Sequence, residues 1–329
     1  MTRDEVRECS YKYEISVVIC AHNPRADYFS RVLSALKSQT FPMEQWELLI
    51  VDNASDIPLS SLFNLSWHPH GRHVLEPELG IAEARRRGML EAVSDLIVFI
   101  DDDNVLHDDY LSLVNTIKQE WPMLGTWGSG LIALEFEQQP SRHLERYFPN
   151  LAFRDSKFPR WCNIASCIDA TPVGAGLCVR GSVAKAYCEM FERSTIRIKS
   201  REGASLLGHE DFEISYVACH MGLGMGVFPA LKISHLIPKR RVTEDYLVKL
   251  YEGGRTSNMM LAYKWQGIPV DSPFTVRGIL SILANFLARR GIDRRMYFAN
   301  VRASVKARRL IAESPRRAPD IRPNETRWN

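Results

Sequence analysis

Seven cysteines without a CxxC pair, no internal repeat, no low-complexity tract and no run of about 18 apolar residues mark what this chain is short of. Each absence removes a class of protein. Cys9, Cys20, Cys162, Cys167, Cys178, Cys188 and Cys219 are an odd set without metal-ligand spacing, which reads as reduced structural thiols rather than a disulfide framework or a zinc site. The longest apolar stretch, Gly278 to Ala288, stops at Arg289 and Arg290 and is too short to cross a bilayer. Met1 to Tyr13 is charged and lacks the apolar core of a secretion signal, so the expected location is the cytoplasm. No GxGxxG follows the first apolar run, which argues against a dinucleotide oxidoreductase. Basic residues without interleaved aromatics give no reason to expect nucleic acid as a partner.

What remains is ordinary globular material. Of 329 residues, 45% are hydrophobic and 25% charged, with 19 glycines and 17 prolines, enough for one large domain with an appendage or for two domains. The net charge of +3 conceals an asymmetry: Arg289 to Asn329 holds 12 Lys/Arg against 4 Asp/Glu, or +8, leaving −5 on the rest.

Ile15 to Cys20 is a β-branched apolar run halted by Pro24 and reads as a buried strand. Phe29, Val32, Leu33 and Leu36 predict a helix over 28–39, and Trp46 to Val51 predicts a second strand. After a polar loop containing His and Pro, a helix over 81–93 leads to a third strand, Leu96 to Ile100, and then to a helix over 108–121. Such alternation builds a parallel sheet that binds ligands at the carboxyl ends of its strands. His22-Asn23, Asp52-Asn53 and Asp101 to Asn104 each stand directly after a strand. Beyond Trp121, Gly-punctuated strands over 125–136, 172–180 and 225–234, with a helix over 210–219, predict an α+β half completing the same site. Helices are expected over 245–265, 274–290 and 294–312. The expected class is α/β, divided into an arm (1–13), a main domain (14–242) and a C-terminal helical region with a basic tail (243–329).

The carboxylates carry the chemistry. In an extended turn residues i and i+2 point the same way, so Asp101 and Asp103 are expected to converge on one cation, while Asp102 points elsewhere. Hard oxygen ligands suit Mg²⁺ or Mn²⁺, which bind through one or two carboxylates plus substrate phosphates. Asp108 and Asp109 read instead as the cap of the following helix. Taken alone, Asp52-Asn53 is an Asx turn. Arg85, Arg86 and Arg87 span about 200° of a helix and cannot all face one ligand. Glu210-Asp211 opens a helix, and two carboxylates side by side can push one pKa upward, toward that of a base near neutral pH. Val173 to Gly176 permits close backbone approach to a ligand. Gly222, Gly224 and Gly226 lack a P-loop lysine and read as a turn entering a strand.

Five motifs stand in this order: Ile15-Ser-Val-Val-Ile-Cys-Ala-His-Asn-Pro24, Val51-Asp-Asn-Ala-Ser55, Gly80-Ile-Ala-Glu-Ala-Arg85 with Gly88, Asp101/Asp103, and Gly208-His-Glu-Asp211. Together they resemble the family 2 glycosyltransferases, over roughly Glu14 to Trp265. The resemblance implies an inverting enzyme of the GT-A fold, in which a Rossmann-like nucleotide-binding sheet merges with an acceptor-side half. It implies a nucleotide-sugar donor, UDP-sugar favoured, held by Ala21, Asn23, Asp52, Asn53, Arg85, Asp101, Asp102 and Arg241, with Asp52 accepting from the uracil N3–H. It further implies Mn²⁺ or Mg²⁺ on Asp103, Asp101 and His235, and Asp211 as catalytic base, with Glu210 as second choice. The acceptor would be a glycan or a lipid-linked sugar. Arg241-Val-Thr-Glu-Asp-Tyr246 resembles the basic segment that closes over the donor, whereas Arg86 departs from the family by replacing an expected Asn.

Two other readings stay open. A non-catalytic sugar-nucleotide-binding or assembly protein would not need Asp101, Asp103 and Asp211 together. A nucleotidyltransferase would carry a Gly-rich basic loop where Cys20-Ala-His-Asn-Pro24 stands. In the C-terminal region, Phe274, Ile279, Leu280, Leu283, Phe286 and Leu287, with Arg289, Arg290, Arg294 and Arg295 behind them, either make a peripheral contact with an anionic membrane leaflet or pack on the main domain.

Overall fold

The computed structural model of the chain describes residues 12–194, 196 and 206–314. The arm expected over 1–13, apart from its last two residues, and the tail beyond 314 lie outside the described residues.

The strand–helix alternation appears first as β1 (Ile15–Ala21), α1 (Ala26–Lys37) and β2 (Trp46–Asn53). A short α2 (Leu59–Leu62), β3 (Gly71–Glu76), α3 (Ile81–Glu91) and β4 (Leu96–Asp101) follow. The four strands are parallel in the order β3-β2-β1-β4. Every residue of β1 and β2 is buried, as expected where helices cover both faces of a parallel sheet. Side chains alternate between those faces. Val17 and Ile19 join Phe29, Val32 and Leu36 of α1, whereas Val18 and Cys20 join Ala84 and Met89 of α3. Gly88 sets the α3 approach, because a Cβ there would stand 2.5 Å from Val18 Cγ1.

The second half consists of β5 (Asn104–Leu106), α4 (Tyr110–Glu120), β6 (Leu124–Phe136), β7 (Arg154–Asp155), β8 (Arg160–Cys162), β9 (Leu177–Arg180), α5 (Gly181–Arg193), α6 (Glu210–His220) and β10 (Gly224–Ile237). The sheet continues from β4 through β9, β6 and β10 to β5. Strand β9 is antiparallel to both β4 and β6 and is the seam between the parallel half and the mixed half. The mixed α/β class is the one the sequence predicts.

Three helices close the described chain: α7 (Glu244–Gln266), α8 (Val276–Ala288) and α9 (Gly291–Glu313). Leu247, Val248 and Leu250 of α7 and Ile292, Met296 and Ala299 of α9 share a core with Leu144, Leu151 and Ile237, so packing continues across the expected boundary at 242. Gly253 lets α7 onto the segment preceding α6, since a Cβ there would lie 2.1 Å from the Leu206 carbonyl oxygen. Among the described residues, no helix is long and apolar enough to cross a membrane.

Three local expectations are corrected. Strand β3 occupies part of the expected polar loop; it is an edge strand in which only Val74 is buried, so its alternation is faint. Helix α5 was not expected at all, although its buried Val183, Ala184, Tyr187, Cys188 and Phe191 have helical spacing. Asp109 holds the N-cap position of α4 without a capping bond, because its carboxylate turns to His107 Nδ1 at 3.1 Å.

Candidate active site

The registers that pair Ala21 with Asp52 and Cys20 with Asp101 bring the ends of β1, β2 and β4 level, so the three strand-end clusters share one edge of the sheet. Two turns there hold non-glycine residues at positive φ, Asn23 at 48° and Ala54 at 53°. Reciprocal bonds lock them together: Asn23 Nδ2 donates to Asp56 Oδ2 (3.0 Å), and the Asp56 N–H donates to Asn23 Oδ1 (2.9 Å). Strain of this kind persists where surrounding contacts fix the backbone, and it gathers at functional sites. Ala21 is buried at the end of β1.

Asp52 is buried and accepts from the Ser55 N–H at 3.0 Å and the Leu59 N–H at 2.9 Å. Asx-turn geometry is therefore present, and each carboxylate oxygen retains acceptor capacity for a further partner. Asn53 serves the chain itself. Its amide donates to the carbonyls of Glu76 (3.2 Å) and Glu78 (2.6 Å) and accepts from the Gly80 N–H (2.8 Å), fastening the loop that starts α3. His22, unassigned from sequence, donates from Nδ1 to the Asn53 carbonyl at 2.8 Å.

Arg85 bridges the two halves of the site. Buried at the start of α3, it donates from Nη2 to Asp101 Oδ1 (3.0 Å) at the end of β4 and from Nη1 to Glu210 Oε1 (2.6 Å) at the start of α6. Burial works against its charge, but the carboxylates of Glu210, Asp101 and Asp211 outweigh that and raise its pKa. To reach a diphosphate, Arg85 must exchange one of these partners. Arg86 turns away to Glu192 on α5, and Arg87 pairs with Glu91 on its own helix, so only Arg85 faces the site. Beside Glu210, Asp211 accepts from the Gly174 N–H at 2.7 Å and the Phe212 N–H at 2.9 Å. Gly174 touches both groups: a Cβ there would stand 2.2 Å from Arg85 Nη2. His209, just before the pair, holds a left-handed backbone at φ 80°.

The acidic triplet departs from its expected geometry. Strand β4 ends at Asp101 and residues 102–103 form a turn into β5, so the rule for extended residues does not apply. Asp101 faces Arg85, while Asp103 faces His235 and Arg241 on the far side of the sheet seam. Asp103 Oδ2 accepts from Arg241 Nη1 at 2.8 Å. His235 Nδ1 lies 3.0 Å from the Leu151 carbonyl oxygen, which turns Nε2 toward Asp103 Oδ1 at 3.4 Å. Arg241 Nη1 also lies 3.4 Å from that Nε2, so it contacts both Asp103 and His235. Asp102 lies between these groups. Burial, with the nearby charges of Asp103 and Asp101, pushes its carboxyl up to about 7 against the opposing pull of Arg241. Among the described residues no three His, Cys, Asp or Glu side chains are placed to hold a metal ion. Asp103 and His235 stand as a pair, with Arg241 against both.

Residues 16–170 match the family model described as Glycosyl transferase family 2. Over this segment the chain is similar to the family 2 glycosyltransferases. The glycosyltransferase AglE of Haloferax volcanii is 28% identical over 108 residues, covering 32% of this chain and 35% of that protein. The chain therefore spans about a third of the length of that curated relative. A crystal structure of S. aureus TarS 1-349 aligns over 90% of each chain with a TM-score of 0.44 and 12% identity.

The glycosyltransferase match includes Asp52, Arg85, Asp101 and Asp103 but ends before Gly174, Glu210, Asp211, His235 and Arg241. Arg154, which the sequence did not single out, lies within it. This largely buried guanidinium donates to the Thr171 carbonyl, and burial lowers its pKa while the charge of Asp211 opposes that. No local sequence signal marks it.

Proposed function

We propose that the chain transfers a sugar from a nucleotide-sugar donor, UDP-sugar favoured, to a glycan or lipid-linked acceptor with inversion at the anomeric carbon. The observation that carries this reading is Arg85, whose two ion pairs join the donor-side acid at the end of β4 to the acceptor-side acids opening α6. A binding protein needs no such junction. Asp52, with acceptor capacity left on both oxygens, supports a uracil N3–H contact and hence UDP.

Asp103 and His235 are the residues to hold Mn²⁺ or Mg²⁺, because the contact of the His235 ring with the Leu151 carbonyl turns Nε2 toward Asp103. Such a cation, when bound, supplies positive charge to the departing diphosphate. Arg85 and Arg241 supply further charge from the protein itself. Asp211 takes the proton of the acceptor hydroxyl while that oxygen bonds to the anomeric carbon. The bond from this carbon to the diphosphate breaks, and UDP leaves with the electron pair. The Gly174 N–H fixes the base, and Glu210 holds Arg85.

Asp211→Asn is expected to keep metal-dependent UDP binding, read by thermal shift, while transfer falls by about 10²–10⁴-fold. Asp103→Ala is expected to lose metal-dependent UDP binding. Undiminished transfer in either variant would remove that residue from its role, and a thermal-shift screen of other sugar nucleotides tests the preference for UDP.

A further inference from the structure

Helix α8 exposes an apolar face that the described chain covers only at its edge, where Phe286 meets α9. None of its residues is buried. At about 100° per residue, Val276, Ile279, Leu280, Leu283, Phe286 and Leu287 fall within an arc of about 120°, the width of stripe that a helix normally turns to a core. Here Leu280, Leu283 and Leu287 are 62%, 56% and 78% exposed, and Phe274 at 63% extends the stripe beyond the N-terminus. The helix is nonetheless well started, since Thr275 Oγ1 accepts from the Gly278 N–H at 3.1 Å. Two open clefts of about 410 Å³ adjoin this region, one bounded by Phe286, Phe298 and Arg294, the other by Phe274, Val305 and Lys306.

Charge distinguishes this surface from an ordinary apolar patch. On α9, Arg295 pairs with Glu244 and Asp245, and Arg302 pairs with Glu252, so cations facing α7 are neutralised. Arg277, Arg289, Arg290, Arg294 and Lys306 have no ion pair among the described residues. Arg289 and Arg294 instead stack over Tyr297 and Phe286, at 5.5 and 5.1 Å from the ring centres. Unpaired positive charge therefore gathers beside the apolar stripe. A second copy of the chain docking on this face about a two-fold axis would bring the same cations against one another.

We infer that α8, flanked by these cations, is a docking surface for an anionic lipid bilayer. The helix lies in the plane of the interface, with its apolar arc among the acyl chains and the arginines at the phosphate level. At 13 residues it does not span the bilayer. This inference rests on α8 and α9 alone and stands apart from the proposed glycosyl transfer.

The test is flotation of the full chain with phosphatidylcholine vesicles, with and without phosphatidylglycerol. Retention is expected only with the anionic lipid and is expected to weaken as salt is added. The triple variant Leu280→Glu, Leu283→Glu, Leu287→Glu is expected to lose retention with an unchanged Tm, because it alters no buried side chain. The pair Arg289→Glu, Arg290→Glu is expected to weaken binding by about fivefold or more per reversed charge. Equal retention of all variants overturns the inference. So does an unretained wild type, including one whose light scattering reveals a dimer that the triple variant abolishes.

Discussion

At Gly174 a single hydrogen occupies the space where a methyl group would meet the Arg85 guanidinium, and the same residue's N–H holds Asp211. Gly174→Ala is therefore expected to push Arg85 off at least one of its carboxylates. A displacement of this size next to reacting groups lowers turnover by about tenfold or more, whereas a merely overpacked site costs about 1–3 kcal/mol of stability. Measuring kcat beside Tm separates the two, and wild-type turnover in the variant would detach Gly174 from the site. The sequence marked Val173 to Gly176 as backbone open to close approach, and Arg85 as the one arginine facing the site. It did not pair them, because the contact exists only after β9, which follows Gly174, has paired with β4. Asn53 teaches the same lesson in reverse: beside Asp52 it resembles a donor-binding residue, yet its amide is engaged by Glu76, Glu78 and Gly80.

Among the elements, α6 and α7 are joined by a buried ion pair that no local pattern announces. Glu213 and Lys264 stand 2.8 Å apart with both side chains almost fully enclosed, and Trp265 Nε1 donates to the same carboxylate oxygen at 3.2 Å. Removing one partner strands the other's charge in the interior. Lys264→Met is expected to destabilise the protein by about 3–5 kcal/mol in urea unfolding, while Glu213→Leu with Lys264→Met recovers most of the loss. If the double variant is no more stable than the single, the pair contributes through packing rather than charge. Because α6 opens with Glu210 and Asp211, its anchoring to α7 also positions those two acids. The long, strongly periodic elements were legible in the sequence, but β3 and α5 were not. An edge strand with one buried residue leaves hardly any alternation to read, and α5 begins at Gly181, without the cap that announces a helix.

For the molecule as a whole, stability is expected to fall on acidification through one buried imidazole. His68 packs against Trp46 and Trp67 and accepts from the His70 N–H at Nδ1 (3.1 Å), so burial, together with the charge of His70, lowers its pKa from 6.5 to about 4. The unfolded chain takes up this proton first. Stability from this residue is complete above about pH 6.5 and is lost as pH falls toward 4, by about 2 kcal/mol after allowance for solvent. His68→Asn, whose Oδ1 can accept in place of Nδ1, is expected to flatten that part of the curve of urea midpoint against pH; an unchanged slope would assign the acid limb to other groups. Sequence by itself determined the parallel strands, the carboxylates at their ends and the amphipathic C-terminal helices, because burial periodicity and residue chemistry are local properties. Only the tertiary structure decided that Asp101 and Asp103 face different partners, that Arg85 spans both halves of the site, and that the apolar arc of α8 stays uncovered. Those outcomes depend on a turn at 102–103, on helices brought together from distant parts of the chain, and on the absence of any described element that buries the leucines of the α8 arc.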